Sequence, residues 1–174
     1  DDYVVLNYDN ETTRELAKEA KSKVIFFSTE RLGDPISKGR LDLHIANGKI
    51  IFNNNGEQEE ICDLNDIKLR GGHNIGNILA AVAATSAYGI APEYICEAIK
   101  NFKGVPHRLE FVREIDGVKY VNDTAATMPD AAIAGINSFS KPVVLIAGGM
   151  DKNLQFSDFA KAVSEKVKKI VLLK

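Results

Sequence analysis

KPVVLIAGGMDKNLQFSDFAKAVSEKVKKIVLLK, residues Lys141 to Lys174, alternates between two kinds of apolar pattern. Val143 to Ala147 is unbroken, of strand length, and closes on Gly148-Gly149. Ser157 to about Lys168 repeats its apolar residues at the spacing of one helix face, and Ile170 to Leu173 is an unbroken run again. A strand without polar alternation needs cover on both faces, which helices crossing between parallel strands provide. The segment predicts strand, helix and strand, and an α/β fold with a parallel or mostly parallel sheet.

Upstream, Pro129 to Phe139 reads as a helix, and Leu109 to Ile115 with Val118 to Asn122 flank Asp116-Gly117, a hairpin-type turn. Gly104 and Pro106 break the chain ahead of that hairpin, so a domain boundary is expected there, dividing the chain into 1–103 and 104–174. Before it, Ile75, Ile78, Leu79, Val82, Ala83 and Ser86 recur on one helix face, with Asn74 as the expected cap and Gly89 just past the end. Pro92 opens another helix that runs to Asn101 with Ile95, Ala98 and Ile99 inward.

At the start, Val4 to Asn7 is a short strand, Asn10 caps a helix from Glu11 to Ala20, and Val24 to Ser28 is a second strand. A polar loop follows around Arg31 to Arg40. Leu43 to Ala46 and Lys49 to Phe52 flank Asn47-Gly48, a strong hairpin signal, and Glu59 to Leu64 forms a further strand after the Asn53 to Gly56 turn. This middle section is expected to be antiparallel and peripheral.

The 174 residues are 45% hydrophobic with a formal net charge of −2. That composition supports a packed core and argues against disorder and against nucleic-acid binding, while small anions held by local charges stay open. Cys62 and Cys96 form no CxxC pair and have no histidines at ligand spacing, so they read as buried free thiols in a reducing compartment. No apolar run is long enough to span a bilayer, and no signal peptide is expected. The chain opens without Met and ends inside a strand-like run, so both ends are expected to be cut from a longer polypeptide.

Four polar clusters interrupt the pattern. In His73-Asn74-Ile75-Gly76-Asn77, Asn74 as a cap is one account. The other is that Asn77, beside Gly76 and near Ala80 and Ala81, offers a carboxamide to the edge of a flat group such as adenine. In Gly104-Val-Pro-His-Arg-Leu-Glu110, His107 and Arg108 are either a solvated loop or a phosphate clamp, since a guanidinium forks two donors onto phosphate oxygens. Asn122-Asp-Thr-Ala-Ala-Thr-Met-Pro-Asp130 sits at a strand's carboxyl end, where open α/β sheets bind ligands. Asp123 there suits a ribose hydroxyl or a cap, and Thr127 likewise a ligand or a cap. In Ala147-Gly-Gly-Met-Asp-Lys152 the glycines permit close backbone approach. Lys152 suits a carboxylate or phosphate, and would lie near Thr127 if the two strands are neighbours.

Several signatures are missing from these residues. No G-x-x-x-x-G-K-[ST] loop occurs, so the chain has no standard triphosphate cradle and is expected to be inactive as an ATPase by itself. Neither G-x-G-x-x-G after a strand nor G-x-S-x-G is found.

In order and spacing the chain resembles the Mur ligases, which build the peptide stem of peptidoglycan. The likeness rests on Leu69-Arg-Gly-Gly-His-Asn-Ile-Gly-Asn77 with Ala80-Ala81, and on Phe102-Lys-Gly-Val-Pro-His-Arg-Leu-Glu110. It continues through Gly117-Val-Lys-Tyr-Val-Asn-Asp123 to Pro129-Asp-Ala131, and through Ile146-Ala-Gly-Gly-Met-Asp-Lys152. Asn7 to Arg14 looks like the family's Asn-x-Asp-Asp stretch with Asn10 at the second aspartate. The match is nearest the D-glutamate-adding branch. Where that branch commonly reads Asp-Ser-Lys-Ala-Thr-Asn, this chain has Asp123-Thr-Ala-Ala-Thr-Met128, with Ala125 at the lysine's place.

The resemblance implies the remainder of a central ATPase-domain sheet followed by part of a Rossmann-like C-terminal domain. It implies an ATP-dependent amide-bond ligase joining D-glutamate to UDP-N-acetylmuramoyl-L-alanine through an acyl phosphate, a cytoplasmic and monomeric enzyme of cell-wall biogenesis, and hence of cell shape and division. Under it Asn77 contacts adenine, Arg108 approaches the γ-phosphate and Asp123 holds the ribose. His73 and His107 belong to the nucleotide region, and Thr127 and Lys152 hold the carboxylates of D-glutamate. Magnesium is the implied cofactor with its ligands upstream of this chain. Another Mur ligase, a folylpolyglutamate synthetase, which shares the chemistry with a folate acceptor, and a non-catalytic nucleotide-binding module are the rival readings.

Overall fold

Strand β1 (Tyr3–Asn7) and strand β2 (Lys23–Leu32) pair in parallel, Val4 opposite Val24 and Leu6 opposite Phe26. Helix α1 (Glu11–Glu19) joins them, with the Asn10 side chain accepting a hydrogen bond from Thr13 N at 3.3 Å as the expected cap. The computed structural model describes residues 2–32, 41–150 and 152–173. They form two compact units, Asp1–Leu69 with His73–Phe102, and Arg70–Gly72 with Lys103–Lys174. The loop expected from Arg31 falls largely outside the described residues.

In the first unit β3 (Leu41–Ala46) pairs parallel with β2, then antiparallel with β4 (Lys49–Asn54), which pairs with β5 (Glu57–Asp63). The order is β1-β2-β3-β4-β5. Asn47 and Gly48 both take positive φ, 51° and 76°, as a two-residue hairpin turn requires.

The hairpin is antiparallel as expected, but it is not peripheral. Leu43, Ile45, Ile50 and Phe52 make up the core with Ile25, against Leu79, Val82 and Ala83 of α2 (Gly72–Ala87) and Ile95 of α3 (Pro92–Asn101). Asp42 and His44, on the opposite face, are fully buried as well. Their polarity imitates a solvent-facing alternation, yet it is consumed internally. The Asp42 carboxylate meets His44 Nδ1 at 2.9 Å and accepts from Asn53 Nδ2 at 2.8 Å.

Helix α2 begins ahead of Asn74, which is buried in its first turn and so does not cap it. Its far end closes as expected, with Gly89 at φ 81° and Ile90 N bonded to Thr85 O at 3.2 Å.

The second unit opens with the antiparallel hairpin β6 (Glu110–Ile115) and β7 (Val118–Asn122), turned at Asp116 and Gly117. Then come α4 (Pro129–Asn137), β8 (Val143–Gly148), α5 (Ser157–Lys166) and β9 (Val167–Leu173). β8 and β9 pair in parallel, and α4 packs on α5. The expected succession is present, with β9 starting earlier than Ile170 at the helix's expense. Cover on both faces is not complete among the described residues: Val144 and Ile146 are 59% and 66% exposed.

Candidate functional site

The loop entering β6 carries the densest polar constellation of the second unit. His107 and Leu109 both adopt positive φ, 65° and 47°, a conformation that costs a non-glycine residue about 1–3 kcal/mol and needs outside support. The support is visible bond by bond. Ala125 N donates to His107 O at 2.9 Å, Leu109 N donates to Asp123 Oδ1 at 3.0 Å, and His107 N donates to Glu110 Oε2 at 2.8 Å. The Asn122 amide donates to His107 Nδ1 at 2.9 Å while its oxygen accepts from Thr124 N at 3.1 Å. With Nδ1 an acceptor, the neutral ring carries its proton on Nε2.

This bracing leaves Arg108 at the tip of a fixed turn. Its amide bonds to Val105 O at 3.2 Å, whereas its exposed guanidinium makes no hydrogen bond or ion pair among the described residues. A cation held on a rigid loop without an internal partner is ready for an external anion.

Asp123 is a load-sharing residue rather than a cap. Helix α4 starts after Met128, with Pro129 in its first turn and no side-chain cap from either Asp123 or Thr127. A Cβ added at Gly135 would come within 2.6 Å of Asp123 Oδ2, so that glycine is what lets the helix pass the carboxylate. Thr127 is exposed, its amide bonded to Ala125 O at 2.9 Å.

Lys152 is exposed and has no ion pair among the described residues. The strands β7 and β8 lie in separate two-stranded ladders, so the pairing that would set Lys152 beside Thr127 is not formed. Gly148, the last residue of β8, has a structural use of its own: a Cβ there would lie 2.7 Å from Leu173 O on β9.

In the first unit, Asn77 is exposed on α2 and donates to Asn74 Oδ1 at 3.2 Å, which orients its amide. His73, one turn earlier, is half-buried. A Cβ at Gly76 would sit 3.7 Å from Thr29 Cγ2, in ordinary contact, so α2 packs close over the end of β2. There Asp9 accepts from Thr29 N at 2.8 Å, from Thr29 Oγ1 at 3.0 Å and from Ser28 Oγ. This knot at the carboxyl edge of β1 and β2 was not among the sequence candidates. The only signal for it was that Asp9 follows the first apolar strand and Ser28-Thr29 are the polar residues that end the apolar run of the second.

Among the described residues the cluster able to share a metal ion is Cys62, Asp66 and Cys96. Magnesium takes oxygen donors, so a set with two sulfurs does not fit it.

A family model described as Mur ligase middle domain matches residues 1–85, and one described as Mur ligase, glutamate ligase domain matches residues 107–174. The chain is 44% identical over 174 residues to a UDP-N-acetylmuramoylalanine–D-glutamate ligase of Roseiflexus sp. (strain RS-1), covering 99% of this chain and 37% of that protein. It is 43% identical over 172 residues to the ligase of the same name from Pelotomaculum thermopropionicum, covering 99% and 36%. The chain thus spans just over a third of the length of these relatives.

Among solved structures, a UDP-N-acetylmuramoylalanyl-D-glutamyl-2,6-diaminopimelate–D-alanyl-D-alanyl ligase from Acinetobacter baumannii superposes with TM-score 0.66 at 18% identity, covering 98% of this chain and 38% of that one. A MurF ligase from Thermotoga maritima in complex with ADP gives 0.63 at 20% identity, covering 98% and 43%. These likenesses share the fold, and with two family models spanning both units the chain belongs to the Mur ligase family.

Proposed function

We propose that this chain is part of an ATP-dependent ligase that adds D-glutamate to UDP-N-acetylmuramoyl-L-alanine during peptidoglycan synthesis, acting in the cytoplasm as a monomer. The observation that supports this most directly is the braced turn His107–Leu109, which presents an Arg108 guanidinium without a partner among the described residues. Arg108 takes the γ-phosphate of substrate ATP, where a fixed guanidinium stabilises charge that grows as the phosphoryl group transfers. Asn77, its amide already aimed by Asn74, reads the adenine edge. Asp123 takes a ribose hydroxyl on an oxygen not spent on Leu109 N, and His73 and His107 border the nucleotide. Thr127 and Lys152 hold the carboxylates of incoming D-glutamate, whose amine attacks the acyl phosphate, forming the amide bond as the C–O bond to phosphate breaks. Magnesium, when bound, neutralises phosphoryl charge; no oxygen-donor cluster for it exists among the described residues.

The division near residue 103, into the end of a central ATPase domain and the start of an amino-acid-binding domain that also lends His107, Arg108 and Asp123 to the nucleotide, belongs to the same reading. The test uses the full-length enzyme with a panel of acceptors and amino acids. Phosphate release should require both UDP-N-acetylmuramoyl-L-alanine and D-glutamate. Release with a different amino acid, to which Ala125 in place of the branch's lysine draws attention, would move the assignment to another Mur ligase. Release only with a folate acceptor would overturn it.

A further inference from the structure

Cys62 on β5 and Cys96 on α3 stand 34 residues apart in sequence, yet their sulfurs approach to 2.7 Å. Both are free thiols. Cys96 S–H donates to Cys62 Sγ, and Cys62 S–H faces Asp66 Oδ2 at 3.9 Å. That carboxylate in turn holds Lys100 Nζ at 3.1 Å. Cys62 is only 3% exposed, whereas half-buried Cys96 borders an open groove of about 570 Å³, lined also by Glu60, Pro92, Glu97 and Lys100.

We propose that the Cys62–Cys96 pair is a site of oxidative modification, which hydrogen peroxide entering the groove converts to an intramolecular disulfide between β5 and α3. The spacing favours a covalent bond over a shared ion. A disulfide needs the sulfurs to close to about 2.05 Å, a small step from their present separation. Two thiolates on one tetrahedral zinc, each at about 2.3 Å from it, would have to spread to roughly 3.7 Å. Asp66 is moreover already committed to Lys100.

The chemistry divides between the two sulfurs by exposure. Peroxide reaches Cys96 first: its sulfur attacks one peroxide oxygen, the O–O bond breaks, and a sulfenic acid forms with release of water. The Cys62 sulfur then attacks the Cys96 sulfur, the S–O bond breaks, and the hydroxyl leaves as a second water with the Cys62 proton. Two thiols and one peroxide give one disulfide and two waters. Burial first, and then the neighbouring Cys96, hold the Cys62 thiol protonated with its pKa pushed up to about 12, so Cys62 is not the sulfur that peroxide oxidises first.

The experiment treats the reduced, purified chain with a small excess of hydrogen peroxide at neutral pH, then alkylates under denaturing conditions and maps peptides by mass. The expected product has lost about 2 Da, has no alkylatable thiol and yields one cross-linked Cys62–Cys96 peptide, with dithiothreitol restoring both thiols. Its thermal midpoint should rise by several degrees, since the bond closes a long loop of the unfolded chain. In Cys62→Ser the reaction should stop at oxidised Cys96. Cys96 advancing to sulfinic acid while Cys62 stays alkylatable would overturn the proposal, as would an unchanged pair of thiols, a cross-link only between chains, or a lowered midpoint. Stoichiometric zinc that co-purifies and blocks oxidation would replace it with a metal site.

Discussion

The carboxylate of Asp123 accepts the backbone N–H of Leu109 at 3.0 Å, tying the carboxyl end of β7 to a turn that lies 14 residues earlier in the chain. One side chain thereby holds the left-handed conformation on which the position of Arg108 depends. The bond also explains Gly135, whose missing Cβ leaves room for the same carboxylate.

Asp123→Ala in the full-length enzyme should lower turnover at least tenfold, both through the freed loop and through the lost ribose contact. Gly135→Ala should reproduce the loop effect without deleting the carboxylate, because its new Cβ must push Asp123 Oδ2 away from 2.6 Å. Steady-state kinetics of the two variants check this. A Gly135→Ala enzyme with native rates would show that the carboxylate can shift without consequence.

Arg108→Ala should reduce turnover about a hundredfold or more, the scale for losing one electrostatic stabiliser of a transition state. Its thermal midpoint should stay within a degree or two of the parent, since the guanidinium supports nothing in the fold among the described residues. Rates within a few-fold of the parent would refute the phosphate role.

Lys152→Ala should raise the Michaelis constant for D-glutamate sharply and leave that for ATP nearly unchanged. Varying one substrate at saturating levels of the others separates the two. Movement of the ATP constant alone would mean that Lys152 serves the nucleotide.

Asp42→Ala should be among the most destabilising single changes in the first unit. It deprives buried His44 and Asn53 of their shared acceptor at 2.9 and 2.8 Å, in a place water does not reach. At about 1–3 kcal/mol for each buried polar group left short, the cost is roughly 2–6 kcal/mol, readable as a fall in the urea midpoint.

Stability should also decline in alkali. The Cys62 thiol has its pKa raised from 9.0 to about 12, first by burial and then by Cys96. The unfolded chain therefore releases this proton before the folded one does. The contribution is intact below pH 9.0, falls as pH climbs from there, and is spent once pH passes about 12. Unfolding measured across that range should show a shallower decline in Cys62→Ala than in the parent; equal slopes would remove Cys62 as the cause.

Local rules made much of the fold legible. The unbroken run at Val143 and the helical spacing after Ser157 gave β8, α5 and β9, and Asn47-Gly48 and Asp116-Gly117 turned where short hairpins demand positive φ. What stayed hidden depended on partners distant in sequence. Asp42 and His44 look solvent-facing until Asn53 is known to stand across from Asp42. Asn74 looks like a cap because a first-turn amide and a capping amide share one sequence signature. At the candidate site the residue types of His107, Arg108 and Asp123 were visible, but not that Asp123 spends one oxygen on a backbone amide. The approach of Cys62 to Cys96 needs the docking of α3 on β5, which no spacing encodes.

The register of β8 on β9 sets Ile146 beside Val171 and Gly148 beside Leu173. Val144, Ile146, Val171 and Leu173 leave 44–66% of their surfaces in water. A greasy stripe on a two-stranded ladder is a template for further strands. Handled by itself at high concentration, the polypeptide should tend to self-associate through this stripe. A charged replacement at Ile146 would be the economical way to keep it dispersed for spectroscopy or crystallisation.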